Sequence, residues 1–339
     1  MASFRNDYSY LAHPRILKAL ERVENELQVA YGLDCHSKNA ANYIRDVFGA
    51  KDADVHFLAG GTQTNMVFIS GALKSYQGVI AAASGHINVH ESGAIEGSGH
   101  KIFTMPGTNG KISGDDIRRA MALNPDEHTV SLGLVYISNS TEIGTIYSKM
   151  ELQKLRDACN EFGLLLFIDG ARLGSALTSN ENDVDPTLIG KIADGFTVGG
   201  TKNGMLYGEA LVIVNPSLKK GFRNHIKNKG AMLAKGFVVG VQFEEAFRDG
   251  LYFELAEQTN RMADLLKEGL GGSGLSLLQS PTNQIFVTLK KEVALKIIDR
   301  YGCELWEDKG PELTIRFVTS FKTSEDDVKE AVSFIKSIL

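Results

Sequence analysis

Cysteine, proline and long apolar runs are all scarce in this chain of 339 residues. The three cysteines, Cys35, Cys159 and Cys303, form no Cys-x-x-Cys pair, which argues against a disulfide framework or zinc site and favours a cytoplasmic location. No stretch reaches the roughly 20 apolar residues of a membrane span, and the opening MASFRNDYSY lacks the apolar core of a signal peptide. The net charge is −5 without a basic stripe, so neither a membrane nor a nucleic acid is an expected partner.

Glycine, by contrast, is plentiful, with 35 residues against 7 prolines, which suits many tight turns between strands and helices. Short continuous apolar runs alternate with amphipathic stretches, a pattern typical of a mostly parallel sheet covered by helices on both faces. We therefore predict an α/β fold. The predicted strands of this sheet are 55–59, 79–83, 101–105, 132–138, 164–169, 195–198 and 210–214.

The helices are predicted from the apolar periodicity between these strands. A first helix begins at Pro14 and places Ile16, Leu20, Val23 and Leu27 on one face. Further helices are expected near 37–48, 62–75 and 148–162, and the last of them begins with the capping-box spacing of Ser148 and Glu151.

The pattern changes after about residue 240, where a long helix over 251–269 leads into short strands near 275–279, 284–289 and 313–318. We predict a large domain over residues 1–240, with the N-terminal segment included, and a smaller C-terminal α+β domain over 241–339.

Two polar residues fall where predicted strands end. Asp169 ends one strand, and Lys202 follows another within the glycine-rich turn 199–204. Parallel sheets bind ligands at the carboxyl ends of their strands. A lysine held there is placed to form a Schiff base, and an aspartate there suits the ring nitrogen of pyridoxal phosphate. Lys202 alone would also fit an ordinary loop; the pair favours the cofactor.

A glycine-rich turn over residues 59–65 joins a strand to a helix. Gly61 lets a ligand approach the backbone, the helix N-terminus offers free amides, and Thr62 adds a hydroxyl. The turn matches neither the P-loop nor the dinucleotide fingerprint, so it suits a single phosphate monoester. An N-capped helix that binds no ligand is the alternative.

Two histidines and a glutamate follow the strand at 79–83. His86 and His90 stand four residues apart, but the residue after His86 is Ile87, unlike the helical zinc motif, so we predict no metal site. We expect His86 to stack on a flat cofactor ring, Glu91 to orient a neighbour, and His90 to be structural or exposed.

Two arginines complete the set of candidates. Arg172 follows Asp169 by three residues, and Arg316 lies inside the apolar run 313–318. A guanidinium in an apolar strand needs a partner, and a carboxylate matches it in two hydrogen bonds. The two arginines could hold the α-carboxylate of an amino acid; an internal salt bridge is the alternative for Arg316.

Together these motifs resemble the threonine aldolase family of fold-type-I pyridoxal-phosphate enzymes, closest to its low-specificity L-threonine aldolases. The resemblance runs over nearly the whole chain. It is carried by Tyr31-Gly32-Leu33-Asp34, Gly61-Thr62, His86 with Glu91, Thr141-Glu142, Gly144-Thr145, Ile168-Asp169-Gly170-Ala171-Arg172, Gly199-Gly200-Thr201-Lys202-Asn203-Gly204 and Ile315-Arg316-Phe317.

The resemblance implies a role for each matching residue. Lys202 would carry the cofactor, Asp169 would pair with its ring nitrogen, and His86 would stack on the ring. Gly61 and Thr62 would hold its phosphate, and Thr201 and Arg172 are also assigned to the cofactor site. Arg172 and Arg316 would hold the substrate carboxylate. Tyr31, Lys227 and Lys235 would complete a neighbouring subunit's site, which implies a homodimer or homotetramer.

One departure from the family concerns Asn6, which stands where relatives usually have a serine that helps to bind the substrate carboxylate. Asn6 can still donate a hydrogen bond, so we keep it as a substrate-binding candidate. Some members of the family also carry a second histidine near the substrate side chain, where this chain reads Asn139-Ser140-Thr141. The base for the substrate hydroxyl is therefore left open between His86, Glu91 and a bound water.

The expected reaction is cleavage of L-threonine, L-allo-threonine and other β-hydroxy-α-amino acids to glycine and an aldehyde. A β-eliminating lyase or an aminotransferase would use the same site and cofactor, and a non-catalytic pyridoxal-phosphate-binding protein is a third alternative.

Overall fold

The computed structural model describes residues 2–339 and contains two sheets. The larger has seven strands in the order β1-β7-β6-β5-β4-β2-β3. Its strands are β1 (Asp54–Leu58), β2 (Gln77–Ala82), β3 (Ile102–Met105), β4 (Ser131–Ser138), β5 (Leu165–Asp169), β6 (Gly195–Gly199) and β7 (Glu209–Ile213).

This sheet is mostly parallel, as predicted. β2 pairs in parallel with β3 and β4, and β5 with β4 and β6, whereas β7 is antiparallel to both β1 and β6. Ser138 at the end of β4 lies beside Asp169 at the end of β5. The carboxyl edge of the sheet therefore gathers the loops that follow β4, β5 and β6.

The smaller sheet has four antiparallel strands in the order β10-β11-β9-β8. They are β8 (Ser276–Leu277), β9 (Gln284–Lys290), β10 (Glu304–Asp308) and β11 (Glu312–Val318). β10 is not predictable from the sequence pattern, because its residues Glu-Leu-Trp-Glu-Asp carry charges at both ends and form an edge strand with little burial.

Helices cover both faces of the large sheet and one face of the small one. They are α1 (Pro14–Arg22), α2 (Cys35–Phe48), α3 (Gly61–Ala72), α4 (His86–Val89), α5 (Ala94–Gly97), α6 (Gly114–Ala122), α7 (Lys149–Phe162), α8 (Leu173–Leu177), α9 (Pro186–Ile192), α10 (Pro216–Lys219), α11 (Phe222–Asn228), α12 (Phe237–Arg248), α13 (Leu251–Leu270), α14 (Lys291–Tyr301) and α15 (Glu325–Ile338). None of the helices in residues 2–339 is long and apolar enough to cross a membrane.

Local sequence signals explain several helix ends. α7 starts with the predicted capping box, because the Ser148 hydroxyl accepts from the Glu151 amide while the Glu151 carboxylate accepts from the Ser148 amide. The expectation for α1 was wrong in its length: the helix ends at Arg22, and Leu27 is fully exposed. Leu27 has no core to face within this chain, so its side chain gives no reason to extend the helix.

One apolar layer lies on each side of the large sheet, and a third apolar core lies between the small sheet and helices α13, α14 and α15. Phe4 belongs to this third core: its amide donates to Tyr301 O and its carbonyl accepts from the Val318 amide. The first residues therefore cross from the small sheet to the edge of the large one, which carries Asp7 to the site described below. The division of the chain at residue 240, which falls within α12, stays a prediction.

Candidate active site

Asp169 ends β5 and is the most extensively hydrogen-bonded carboxylate at the carboxyl edge. Its Oδ2 accepts from the Tyr136 hydroxyl at 2.6 Å and from Asn65 Nδ2 at 2.8 Å, and its Oδ1 accepts from the Ala171 amide at 2.9 Å. Burial would raise the pKa of Asp169, but the nearby His86 charge and these hydrogen bonds outweigh it and hold the pKa below its ordinary value. A buried anion kept ionised in this way suits a cationic ring nitrogen.

His86 begins α4 directly after β2 and joins the same network. Its Nδ1 lies 2.7 Å from Glu91 Oε1, which also accepts from Asn65 Nδ2 at 2.7 Å. Burial would lower the pKa of His86, but the hydrogen bond to Glu91 and the charges of Glu142 and Asp169 raise it on balance. Asn65 thus links the two carboxylates, and His86 favours its protonated form.

Ligand atoms of His86, Glu91 and Asp169 lie within 4.8 Å of one another, a spacing that a metal ion could use. The hydrogen bonds between these groups account for the close approach without one. The carboxylate oxygen of Glu91 that meets His86 already accepts two hydrogen bonds, and Asp169 accepts three at distances of 2.9 Å or less. The donor set matches a hydrogen-bonded network better than an ion.

Lys202 lies in the turn between β6 and β7, whose backbone packs too closely for side chains at two glycines. A Cβ at Gly199 would meet the Ala171 carbonyl oxygen at 2.2 Å, and one at Gly200 would meet the Gly208 oxygen at 2.6 Å. Burial lowers the pKa of Lys202, and the charge of Arg172 acts in the same direction. Both effects favour the neutral, nucleophilic amine that Schiff-base formation needs.

Thr201 and Glu209 fix this turn from within. The Thr201 hydroxyl accepts from the Gly208 amide at 3.0 Å, and Glu209 Oε2 accepts from the Gly200 amide at 3.2 Å. Burial raises the pKa of Glu209 to about 7. Glu209 was not predicted as part of the site. Its position at the start of a short apolar strand was the available signal in the sequence.

The predicted anion-binding turn leads into α3, whose N-terminus carries no capping side chain. A Cβ at Gly60 or Gly61 would meet nothing within 4 Å, so space stands open in front of the free amides. Thr62 is exposed beside this space. The Thr64 hydroxyl donates to Gly60 O at 2.9 Å, within the helix itself. Open space in front of uncapped amides fits a phosphate.

Arg172 is buried and already paired. Its Nε and Nη2 donate to the two carboxylate oxygens of Asp7 at 2.7 and 3.0 Å. Asn283 Nδ2 donates to Asp7 as well, at 2.9 Å. The Nη1 edge of Arg172 has no hydrogen bond to any of residues 2–339, so that edge stays available to a second carboxylate. The pairing of Asp7 with Arg172 was not predicted from the sequence. The position of Asp7 directly after the candidate Asn6 was the only local signal for it.

Arg316 lies on β11 and makes the internal ion pair considered as an alternative above. Its Nη2 bonds to Glu304, its Nη1 donates to Gln284 Oε1 at 3.1 Å, and its guanidinium lies 5.3 Å from the centre of the Trp306 ring. Within the described chain, its Nε is buried without a partner. A role in substrate binding stays a prediction.

The other predicted residues lie outside this network. Asn6 is buried, and its Oδ1 accepts from the Tyr8 amide at 3.1 Å and the Ser9 hydroxyl at 2.7 Å, so that oxygen shapes the N-terminal segment. Tyr31 and Lys227 meet at the surface, where Lys227 Nζ lies 4.8 Å from the centre of the Tyr31 ring. Lys235 is exposed and lies just before α12 in the sequence. Their part in a neighbouring subunit's site stays a prediction.

Comparison with known proteins shows which family the chain belongs to. The family model for beta-eliminating lyases matches residues 13–292. A low specificity L-threonine aldolase from a Pseudomonas species is 29% identical over 330 residues, covering 96% of this chain and 94% of that protein. The solved structure of Leishmania major threonine aldolase is 43% identical with a TM-score of 0.98, covering 100% of this chain and 99% of that one. A Thermus thermophilus aspartate aminotransferase, 14% identical with a TM-score of 0.74 over 100% of this chain and 91% of its own, shares the fold alone.

The fold and the similar proteins together define a fold-type-I enzyme that depends on pyridoxal phosphate. The mostly parallel sheet with helices on both faces carries this class, and the roles of Lys202 and Asp169 in holding the cofactor stay predictions. The chain belongs to the beta-eliminating lyase family and, within it, to the threonine aldolases, as the resemblance in sequence predicted.

Proposed function

We propose that this enzyme cleaves L-threonine, L-allo-threonine and other β-hydroxy-α-amino acids to glycine and an aldehyde. One observation carries the proposal: a buried lysine whose pKa is lowered feels the charge of an aspartate held ionised, in a chain that matches a threonine aldolase along its whole length. The arrangement suits an amino-acid substrate, because Arg172 keeps one edge of its guanidinium available to a carboxylate.

Seven residues would hold the cofactor: Gly61, Thr62, His86, Asp169, Arg172, Thr201 and Lys202. Lys202 would bind it covalently, Asp169 would face its ring nitrogen, and His86 would stack on its ring. The amides of Gly61 and Thr62 would hold its phosphate beside the Thr201 turn. When bound, pyridoxal phosphate supplies an electron sink for the bond that breaks at the substrate's Cα.

The protein's own groups set up this chemistry through their charges. Asp169 stays ionised among three hydrogen-bond donors, so it stabilises a proton on a nitrogen placed against it. Arg172, held along one edge by Asp7, presents its other edge to the substrate carboxylate, and Arg316 and Asn6 are the further candidates for this contact. Fixing the carboxylate sets which Cα bond is aligned for cleavage.

We further propose that the enzyme works as a homodimer or homotetramer in the cytoplasm. Tyr31, Lys227 and Lys235 would then reach a neighbouring subunit's site. Support comes from the exposed apolar side chains of Leu11, Leu27 and Leu33 and from the absence of disulfides among the three cysteines.

A β-eliminating lyase is the second candidate, favoured by the family model that matches the chain. That reaction would remove the Cα proton and release ammonia and a 2-oxo acid from the same site.

Replacement of Lys202 by alanine tests the covalent role. We expect Lys202→Ala to lose the visible absorbance of bound pyridoxal phosphate and to lose at least about a thousandfold in turnover of L-threonine, because the Schiff-base amine is gone. Lys220→Ala, at an exposed lysine in the segment after β7, is the matched control and should keep both properties. Full turnover by Lys202→Ala would contradict the proposal.

A further inference from the structure

The turn that follows β4 brings a second glutamate to the site. The Asn139 amide donates to Asp169 O at 2.9 Å, so the turn begins beside the aspartate. Residues 141–145, which we call the Glu142 turn, close on themselves through hydrogen bonds between the Thr141 amide and Thr145 O and between the two threonine hydroxyls, at 2.9 and 2.7 Å.

The small sheet holds the Glu142 turn from the other side. The Thr282 hydroxyl donates to Gly144 O at 2.9 Å, and Gln284 Nε2 donates to Thr141 O at 3.3 Å. Gln284 also accepts from Arg316, so the turn is tied to the arginine expected to contact the substrate. Glu142 therefore stands on a backbone fixed by both sheets.

Glu142 is buried, with 8% of its surface exposed, yet its carboxylate makes no hydrogen bond to any of residues 2–339. Its oxygens keep some access to solvent, unlike Glu91 Oε2, which is fully buried. Glu142 lines a small cavity with Gly85, next to His86, and with Ser138, next to Asp169 in the sheet. A nearly buried carboxylate needs a hydrogen-bond donor, and for Glu142 that donor must come from outside the described chain.

Electrostatics place this carboxylate among the reacting groups. Its charge acts to raise the pKa values of His86, Lys202 and Arg172, which surround the proposed substrate position. The charge of Glu142 therefore acts on the groups that are proposed to hold the substrate.

The two other side chains considered as bases are poorly placed for this task. Glu91 uses Oε1 to accept from both His86 and Asn65, and its Oε2 is shut away from solvent. The pKa of His86 is raised, so the ring tends to hold its proton and to donate rather than accept.

We propose that Glu142 is the catalytic base that takes the proton of the substrate's β-hydroxyl group. The O–H bond breaks and its proton moves to the Glu142 carboxylate, while the freed electron pair forms the C=O bond of the aldehyde. The Cα–Cβ bond breaks, and its electron pair remains with the glycine fragment. A proton from solvent then joins that Cα and Glu142 returns its proton to solvent, so the products together have the atomic composition of the substrate and no other reactant is consumed.

This inference rests on the proposed aldolase function and adds the base to it. The test compares Glu142→Gln, which keeps the shape but cannot accept a proton, with Glu142→Asp and with Glu181→Gln. Glu181 is an exposed glutamate whose side chain makes no hydrogen bond within residues 2–339, so it is the matched control. Three quantities are measured on the holoenzyme: cleavage of L-threonine, glycine binding from the visible absorbance of the cofactor, and exchange of the glycine Cα proton with deuterated water.

We expect Glu142→Gln to lower kcat for cleavage by about 100-fold or more, with little change in KM. Glycine binding and glycine exchange should stay within about threefold of wild type, because glycine has no β-hydroxyl to deprotonate. Glu142→Asp should recover part of kcat, and Glu181→Gln should behave as wild type.

Two outcomes would overturn the assignment of the base. Cleavage by Glu142→Gln at the wild-type rate would show that another group accepts the proton. Equal loss of cleavage, glycine binding and exchange would show that Glu142 holds the site together instead. A wild-type enzyme that gives no glycine from L-threonine is a separate result, and it would refute the proposed function itself.

Discussion

At the scale of single residues, the lysine turn is built over a carboxyl group that titrates near neutrality. Glu209 is buried, accepts from the Gly200 amide at 3.2 Å, and lies close enough to Lys202 for the lysine charge to affect it. Burial nevertheless raises its pKa from 4.5 to about 7. The folded protein therefore keeps a proton on Glu209 over a pH range in which an exposed glutamate is deprotonated.

The stability of the protein should consequently fall as pH rises through this range. Between pH 4.5 and about 7 the folded protein keeps the Glu209 proton and the unfolded chain does not, so the free energy of unfolding decreases, and it is level above that range. The contribution is about 3 kcal/mol. Glu209→Gln, which removes this titration, should match wild type near pH 5 and be more stable near pH 8.

Urea denaturation at these two pH values, without added cofactor, measures the effect. Glu181→Gln removes an exposed carboxylate and is the control. A difference between Glu209→Gln and wild type that does not change with pH would contradict the assignment.

The same scale shows which site residues could be read from the sequence. Lys202 and Asp169 were predictable because each follows a recognisable apolar strand. Asn65 bonds to Asp169 across 104 positions of the chain, and Asp7 bonds to Arg172 across 165. No local pattern encodes such pairs, because only the tertiary fold brings them together: Asn65 lies on α3, and Asp7 arrives on the N-terminal segment.

At the scale of elements, the N-terminus of α3 is the clearest case of a helix end shaped for a ligand. Three other helices, α6, α7 and α15, start with a capping box that occupies their first amides. α3 starts after Gly60 with no side-chain cap and open space at Gly61. An uncapped end is costly for a helix unless an anion takes the place of the cap.

Gly61→Ala should therefore weaken cofactor binding without weakening the fold. The new methyl group meets no protein atom within 4 Å, and alanine favours a helix over glycine by about 1 kcal/mol, so the cofactor-free protein should unfold at the same or a higher urea concentration. The methyl group enters the space predicted for phosphate, and the Kd for pyridoxal phosphate should rise at least about tenfold.

Gly97→Ala supplies the matched control, because Gly97 also lies in a helix with nothing within 4 Å of its added Cβ. Fluorescence titration with pyridoxal phosphate gives both dissociation constants. An unchanged constant for Gly61→Ala would move the phosphate site away from α3.

At the scale of the whole molecule, one region leaves unusually many apolar side chains exposed. Tyr8, Leu11, Leu27, Val29 and Leu33 all lie in the first tenth of the chain and are all exposed. Single exposed apolar residues are ordinary, whereas a concentration of them indicates an interface. Tyr31 belongs to this segment and contacts Lys227, and both are proposed to serve a neighbouring subunit.

A hybrid dimer tests whether sites are shared between subunits. Lys202→Ala and Lys227→Ala chains are produced together with different affinity tags, and the hybrid is purified through both tags. If Lys227 serves the partner's Lys202, the hybrid contains one intact site and should show about half of wild-type activity, although each parent dimer is nearly inactive. Activity no higher than that of the Lys227→Ala dimer would place both lysines in the site of one chain.

The architecture itself was largely predictable, since seven short apolar runs marked the seven strands of the large sheet. The length of α1 was not, because Leu27 continues the helical spacing but has no core within the chain to pack against. β10 was not predicted because its charged sequence has no apolar pattern. This strand is defined by its pairing with β11. The apolar pattern of the sequence therefore predicts the helices and strands that pack against a core. It fails at the end of α1, which has no core to pack against, and for the edge strand β10.

The central claim is that the site breaks the Cα–Cβ bond of a β-hydroxy-α-amino acid, and product identity tests it most directly. The purified protein with pyridoxal phosphate is incubated with L-threonine and, separately, with L-allo-threonine, and all products are quantified. We predict glycine and acetaldehyde in equal amounts from at least one of the two substrates. Ammonia with a 2-oxo acid, and no glycine, would contradict the account and assign the same site to elimination.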